Sequence, residues 1–433
     1  MSAASTAFHP DVHKSTKDAR RASLGSYLGA TLEFYDFVIY STASAIVFPA
    51  VFFSGIDPAL GVVLSYVTLA AGYLARPIGA VVFGHFGDRL GRRQMLVVTM
   101  VIMGIASIGI GLIPGSAVIG GFAAVLLVTL RLVQGFAVGG EWAGASLMSI
   151  EHAQIAKRGL AGAIVQSGGP SGAVLATLTF ALVSLMPQDA LLAWGWRIPF
   201  LASAVLVIVA ILVRLGVKES PEFAATERAS ETARVPLFAT LSQNGLSVVL
   251  VVLTALSPFF LQSVTSTFGL QYAIGHGNEQ APALWMLTVS NALTIFATLF
   301  FAVLSDRFGR VRMMVVGFIV TGVLVWVAFA LLSQPNLGAV LVAFIILQPI
   351  GNAMITGPLA AYMADLFPVR NRFTGVGVSY QLAATIAAGF APLVATGLVG
   401  AAGGGTYLLT SLVSVLALIG IGAVLASRRV RVR

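Results

Sequence analysis

Cysteine is absent from the 433 residues, and charged side chains make up only 9% of them. Without cysteine there is no disulfide and no thiolate metal site. So few charges exclude a water-soluble domain, in which about a quarter of the residues are charged. Metal-ligand spacing is missing too: His85 and His152 fall in polar loops and His276 near a helix end. The glycine run at 400–405 lacks the Lys and Ser/Thr of a phosphate loop. No nucleophile–base constellation occurs, so an enzyme is not expected.

What is abundant is apolar, 58% of the chain. Apolar runs of at least ~18 residues read as candidate membrane spans. Twelve occur, at 24–53, 60–83, 94–113, 118–150, 160–186, 194–214, 241–274, 281–304, 313–332, 338–363, 374–400 and 405–426. Barrel strands would alternate over about ten residues, and these runs do not. The expectation is an all-α integral membrane protein of twelve transmembrane helices. The basic segment from His9 to Arg21 precedes an apolar run too long for a signal-peptide core, so it reads as a cytoplasmic tail.

The net charge of +9 has a location. Lysines and arginines gather at alternate ends of the runs, whereas the opposite loops, "SGIDPAL", "IPGSA", "HGNEQA" and "SQPN", carry none. The positive-inside rule then places both termini and the longest loop in the cytoplasm, and the basic pI needs no nucleic-acid partner. The expected organisation is an N-terminal tail at 1–22, a six-helix half at 23–215, a cytoplasmic linker at 216–240, a second half at 241–427 and a basic tail at 428–433.

An internal repeat supports the division. "GHFGDRLGRR" (84–93) follows the second run and "AVLSDRFGRVR" (302–312) follows the eighth. Glu151 and Arg158, seven residues apart, match Asp365 and Arg372. The two correspondences have offsets of 218 and 214 residues, so they register the same two halves. Parallel halves with a site between them are one transporter design.

These motifs resemble the major facilitator superfamily. Within it, "LEFYDF", "ARPIGAVVFGHFGDRLGRR", "RLVQGFAVGGEWAG", "WGWRIPFL", "KESPEF" and "GVSYQLAATIAAGFAP" are similar to the metabolite:proton symporter family, whose members carry shikimate, 2-oxoglutarate, citrate or proline and betaine into bacteria. The resemblance implies the major facilitator fold and a cytoplasmic gate clamped by Asp88, Arg89, Arg92 and Arg93 with Glu151 and Arg158. In the second half Asp306, Arg307 and Arg310 with Asp365 and Arg372 would do the same. Exposed ion pairs are each worth about 0–1 kcal/mol, a weakness suited to a gate that opens every cycle. Ala302 stands where the first copy has Gly84, so the second copy is degenerate.

Away from helix ends the intramembrane charges are Glu33, Asp36, Arg76, Arg131 and Glu141. Such residues are costly in hydrocarbon and are functional candidates by default. Three carboxylates face two permanently charged guanidiniums, which leaves one carboxylate without a partner. Desolvation opposes ionisation of such a group and a neighbouring Arg favours it, so it can load and release a proton. Glu33, Asp36 and Tyr40 share one face of their helix, as do Arg131, Gln134 and Glu141 of theirs. Counting ~1.5 Å per residue puts Glu33, Arg76 and Glu141 at similar depth, with Asp36 and Arg131 further outward. Asp36 is therefore paired with Arg131, as proton carrier and anion anchor, with Glu33 or Glu141 assisting in proton coupling, and Arg76 with Glu33 or Glu141. Arg76 is a further candidate for substrate contact, or can instead serve carbonyls freed by Pro77. The neutral candidates for substrate contact are Tyr40, Gln134, Gln166, Gln262, Asn291, Asn352, Tyr380 and Gln381. "SGGPSG" (167–172) and "AAGFAP" (387–392) occupy matching places and suit bending or sliding.

With the resemblance, these readings imply proton-coupled symport of a small organic acid, shikimate-like or a mono- or dicarboxylate, across the bacterial plasma membrane by alternating access. An antiporter or a zwitterion carrier of the proline/betaine type is the alternative. A transport-dead sensor in a carrier fold would call for an added signalling domain. The expected partners are a small organic anion and the lipid bilayer, with the proton as coupling ion and no other cofactor, no metal and no implied oligomer.

Overall fold

The computed structural model describes residues 16–90, 92–139, 141, 158–215, 237–368 and 372–429. Among them no strand occurs, and the chain crosses back and forth as twelve helical spans. In the first half these are α1 (Thr16–Ile46), α2 (Pro58–Leu90), α3 (Arg92–Leu112), α4 (Phe122–Val138), α5 (Arg158–Gln166 and Gly168–Val183) and α6 (Arg197–Leu215). The second half has α7 (Leu237–Ser263, then Val264–Gly269 and Leu270–Gly275), α8 (Gln280–Phe308) and α9 (Arg310–Leu332). It ends with α10 (Leu337–Ile345, Ile346–Asn352 and Ala353–Asp365), α11 (Arg372–Ala383, Ala384–Gly389 and Ala391–Ala401) and α12 (Tyr407–Ala426).

Seven of these helices are long and apolar enough to cross a bilayer by length and composition alone. An eighth span is the pair Gln188–Gly195 and Arg197–Leu212, bent by 45°, and Val97–Leu112 and Phe122–Val138 are shorter apolar helices. The remaining two are α1, which carries Glu33 and Asp36, and α5, which breaks at Ser167. Two expected boundaries shift. The first run divides into α1 and a short helix, Phe48–Phe52, where Pro49 cannot continue the hydrogen-bond ladder. The fourth run begins with a short helix, Ser116–Ile119, and a turn at Gly120 before α4 starts at Phe122.

Helix pairing repeats with a six-helix period. α1 packs on α5 as α7 packs on α11; α2 on α4 as α8 on α10; α3 on α6 as α9 on α12. The halves meet through α5 against α8 and through α2 against α11, which are equivalent pairs under the same period. Outward-facing side chains such as Val205, Leu212, Phe296, Val323 and Leu418 are exposed and apolar. Such a surface is a liability in water and suits lipid.

Glycine sets how closely α2 and α4 approach. A methyl group on Gly135 would lie 1.9 Å from the carbonyl oxygen of Gly72, and one on Gly79 would lie 1.8 Å from that of Phe136. Small residues permit this backbone contact, which no larger side chain allows. The effect is to bring Arg76 of α2 and Arg131 of α4 into one neighbourhood. Gly309, at φ 95°, makes the turn between α8 and α9 in a conformation that L side chains avoid.

Candidate functional site

Two adjoining cavities lie inside the bundle. The first sits between the halves and is lined by Glu33, Phe34, Phe37, Tyr73 and Arg76 from one side. Phe259, Gln262, Ser263, Tyr380, Ala384 and Ala388 line it from the other. The second, smaller one lies within the first half and is lined by Asp36, Arg131, Gln134, Gly72 and Gly135 among others. Glu33, Phe37 and Arg76 border both.

In the inter-half cavity the guanidinium of Arg76 faces Glu33 across a long ion pair of 3.9 Å. It lies over the rings of Tyr73, at 4.4 Å, and Phe37, at 5.2 Å. Stacking on aromatic faces favours a guanidinium held away from water. Tyr380 packs edge-on against Phe259, with centroids 4.8 Å apart, on the opposite wall. The cavity thus offers one cation, one carboxylate, several rings and the amide of Gln262.

The inner cavity is organised differently. Arg131 lies over Tyr40 at 4.0 Å and over Phe37 at 5.3 Å, and its Nη1 donates to Gln134 Oε1. Gln134 Nε2 in turn donates to Ser107 Oγ at 2.7 Å. Because Gln134 has its oxygen on Arg131, its amide nitrogen faces Ser107, and the hydroxyl proton of Ser107 stays available. Asp36 neighbours Ser107 and Arg131, yet neither of its carboxylate oxygens makes a well-aligned hydrogen bond within 3.5 Å among the described residues. The side chain is only 1% exposed, so this carboxylate is placed where ionisation needs help from neighbours.

The remaining neutral candidates scatter. Tyr40 donates its hydroxyl to Thr68 at 2.7 Å and is fully buried against Arg131. Asn352 donates to Gln348 at 3.1 Å within α10. Gln381 donates across the halves to the Gly139 carbonyl at 3.3 Å. Asn291 is buried on α8 and Gln166 half-buried at the end of the first α5 segment; neither lines either cavity. Of the named candidates the structure brings Glu33, Arg76, Gln262 and Tyr380 together around the inter-half cavity, and Asp36, Arg131 and Gln134 around the inner one.

Phe37, Tyr73, Phe259 and Ser107 were not singled out from the sequence. A signal existed for three of them: Phe37 follows Glu33 by four residues, Tyr73 precedes Arg76 by three and Phe259 precedes Gln262 by three. Helical neighbours at those spacings share a face. Ser107 carried no such signal, being alone on its face of α3.

The halves touch on both sides of the cavity. At the end bearing the basic loops, the carboxylate of Arg310's neighbour Asp306 accepts from the backbone N–H of Leu160, at 3.3 Å, in the first turn of α5. That donor is one of the free N–H groups at a helix start, where a negative charge is favoured. Arg310 bridges Asp306, at 3.6 Å, and Asp365, its nearer partner. Arg307 instead lies over Phe308, and Arg372 donates to the Phe367 carbonyl. Glu151 lies outside the described residues, and of Asp88, Arg89, Arg92, Arg93 and Arg158 only the backbone is described. At the opposite end four neutral hydrogen bonds join the halves: Ser41 with Thr267, Tyr66 with Gln271, Thr288 with Thr177 and Gln280 with Ser184.

A bundle of twelve spans with duplicated halves and, between them, a largely apolar cavity that holds one guanidinium and one carboxylate is a multi-pass membrane transporter. Residues 22–249 match the family described as Sugar (and other) transporter, and residues 250–433 match the Major Facilitator Superfamily. The chain is 38% identical to the shikimate transporter of Escherichia coli K12 over 387 residues, 88% of each chain. It is 32% identical to the glycine betaine/proline/ectoine/pipecolic acid transporter of Dickeya dadantii, over 88% of this chain and 77% of that protein. Among solved structures, the D-xylose-proton symporter shares the fold with a TM-score of 0.74 at 18% identity, covering 95% of this chain and 98% of that one. The chain belongs to the major facilitator superfamily, within its metabolite:proton symporter family.

Proposed function

We propose that the protein is a proton-coupled symporter of a small organic acid in a bacterial plasma membrane, with its basic face in the cytoplasm, working by alternating access. The observation that carries the reading is that both arginines lie over Phe37, at 5.2 and 5.3 Å, while only Arg76 and Glu33 reach the inter-half cavity. Arg76 and Glu33 stand in the wall of the inter-half cavity, and Arg131 and Asp36 stand behind it. On this reading Arg76 anchors the anion, a role that helix spacing alone assigns to Arg131. A 3.9 Å ion pair leaves guanidinium donors for a carboxylate, which arginine binds in a two-pronged geometry. The rings around Arg76 suit an apolar or cyclic body, and Gln262 can read a hydroxyl or carbonyl.

Asp36 carries the proton, with Glu141 a carboxylate whose charge it feels and Glu33 lining the same cavity. Arg131 and Ser107 stabilise the ionised form through the Gln134 link. Protonation of Asp36 releases that link, and an anion at Arg76 supplies the compensating negative charge beside it. Substrate and proton then favour the same occluded carrier. Relatives that carry shikimate and others that carry betaine and proline support a carboxylate-bearing substrate. A zwitterion carrier is the second reading, favoured by Glu33 standing opposite Arg76.

The test is uptake into proteoliposomes of labelled shikimate, 2-oxoglutarate, citrate, protocatechuate and proline, with and without an inward-directed proton gradient. Wild type is expected to accumulate one acid only with the gradient. Asp36→Asn is expected to lose accumulation while retaining exchange of substrate for substrate. Uptake that ignores the gradient would reduce the carboxylates to structural ion pairs.

A further inference from the structure

Proline lacks the N–H that a helix needs four residues on. Pro77, inside α2, therefore gives nothing to the carbonyl of Tyr73. That carbonyl is met from the other half of the molecule: Thr385 Oγ1, on α11, donates to it at 2.9 Å. The choice is unusual for this chain. Thr31, Thr254, Thr265, Thr294, Thr356 and Thr396 all donate to carbonyls four residues back in their own helices. Thr385 sits instead on the π-helical stretch Ala384–Gly389, a wider turn that often marks functional sites.

The contact has a second component. A methyl group on Gly389 would lie 2.8 Å from Cβ of Tyr73, so the same stretch of α11 rests directly on that residue. One turn before Thr385, Gln381 donates to the Gly139 carbonyl. Tyr73 is the residue whose ring stacks on Arg76, and Ala384 and Ala388 line the cavity beside it. The device is one-sided. α8, the repeat partner of α2, has no proline after Pro282, so no carbonyl in its middle is left open in this way.

We infer that Thr385 is a positioning residue that holds the cavity closed, capping the carbonyl Pro77 leaves open and so fixing Tyr73 and Arg76 when the halves meet. When α11 moves away from α2 the bond breaks and the Tyr73 carbonyl turns to cavity water. Closure thus trades one hydrogen bond for another, and the proline makes the cross-half bond worth having. A threonine is suited to this because its proton can leave the helix without a long side chain filling the cavity.

The experiment exploits the absence of cysteine. Ala384→Cys is introduced as the only thiol, and its reaction with a hydrophilic maleimide is timed on the full chain in lipid nanodiscs. Thr385→Val, which keeps shape and removes the donor, is expected to speed labelling about fivefold, the effect of one net hydrogen bond. Thr385→Ser is expected to label like the parent. Pro77→Ala restores a backbone donor to Tyr73, so adding Thr385→Val to it is expected to change labelling less than twofold. Should Thr385→Val fail to accumulate, Pro77→Ala in the same chain is expected to restore it. Parent-like labelling of Thr385→Val, or an undiminished effect beside Pro77→Ala, overturns the inference, as does failure of that rescue. The readout needs neither substrate nor proton gradient, so it stands or falls apart from the transport reading.

Discussion

Two arginines occupy the core of the first half, and their surroundings divide their work. Arg76 faces the cavity between the halves with a long ion pair, and Arg131 is held by Gln134 and covered by Tyr40. Arg76→Lys is expected to raise KM for the transported acid tenfold or more with a smaller change in kcat, because a lysine cannot make the paired, stacked contact. Arg131→Lys is expected to do the reverse, lowering gradient-driven accumulation while sparing substrate binding measured by calorimetry. Ser107→Ala is expected to change the pH profile of uptake, and Ser107→Thr to preserve it, since only the hydroxyl next to Asp36 is at issue. Equal effects of the two arginine variants on KM would remove the division.

At the scale of elements, α2 and α4 are joined by backbone rather than by side chains. A methyl group at Gly135 would meet a carbonyl at 1.9 Å, where no flexible side chain can yield. Gly135→Ala is expected to destabilise by about 1–3 kcal/mol, the range of overpacked cores, visible as a lower midpoint in a thermal unfolding scan. Gly422→Ala on α12, where nothing lies within 4 Å, is the control expected to leave the midpoint unchanged. The twelve helices themselves were legible as apolar runs, since each needs about twenty such residues to cross the bilayer. Their interior breaks were less so. Pro170, Pro349 and Pro392 lie at or beside the breaks in α5, α10 and α11, whereas the π-helical stretch Val264–Gly269 holds no proline and answers to packing between neighbours.

Across the whole molecule the two ends are closed by different chemistry. The basic end uses Arg310 between two carboxylates and a helix N-terminus; the other end uses neutral hydroxyls and amides. Arg310→Ala is expected to raise labelling of a single cysteine at Gln262 from the basic side about twofold to fivefold, in keeping with exposed ion pairs of about 1 kcal/mol or less. Added salt should imitate part of that change. Tyr66→Phe is expected to raise labelling from the opposite side, with little response to salt. Labelling that rises from the same side in both variants would mean that these contacts do not gate separate ends.

The sequence by itself determined the solvent, the count of helices, their duplication and the short roster of buried charges. Each of these follows from composition, from the length a bilayer demands or from a repeated motif, and none depends on how helices are rotated. Tertiary structure alone decided which arginine faces the inter-half cavity, that both arginines lie over Phe37, that Ser107 adjoins Asp36, and that Thr385 reaches Tyr73. Those contacts join residues tens to hundreds of positions apart. Their geometry is set by glycine-limited helix approach and by a proline that leaves one carbonyl to be satisfied from across the molecule.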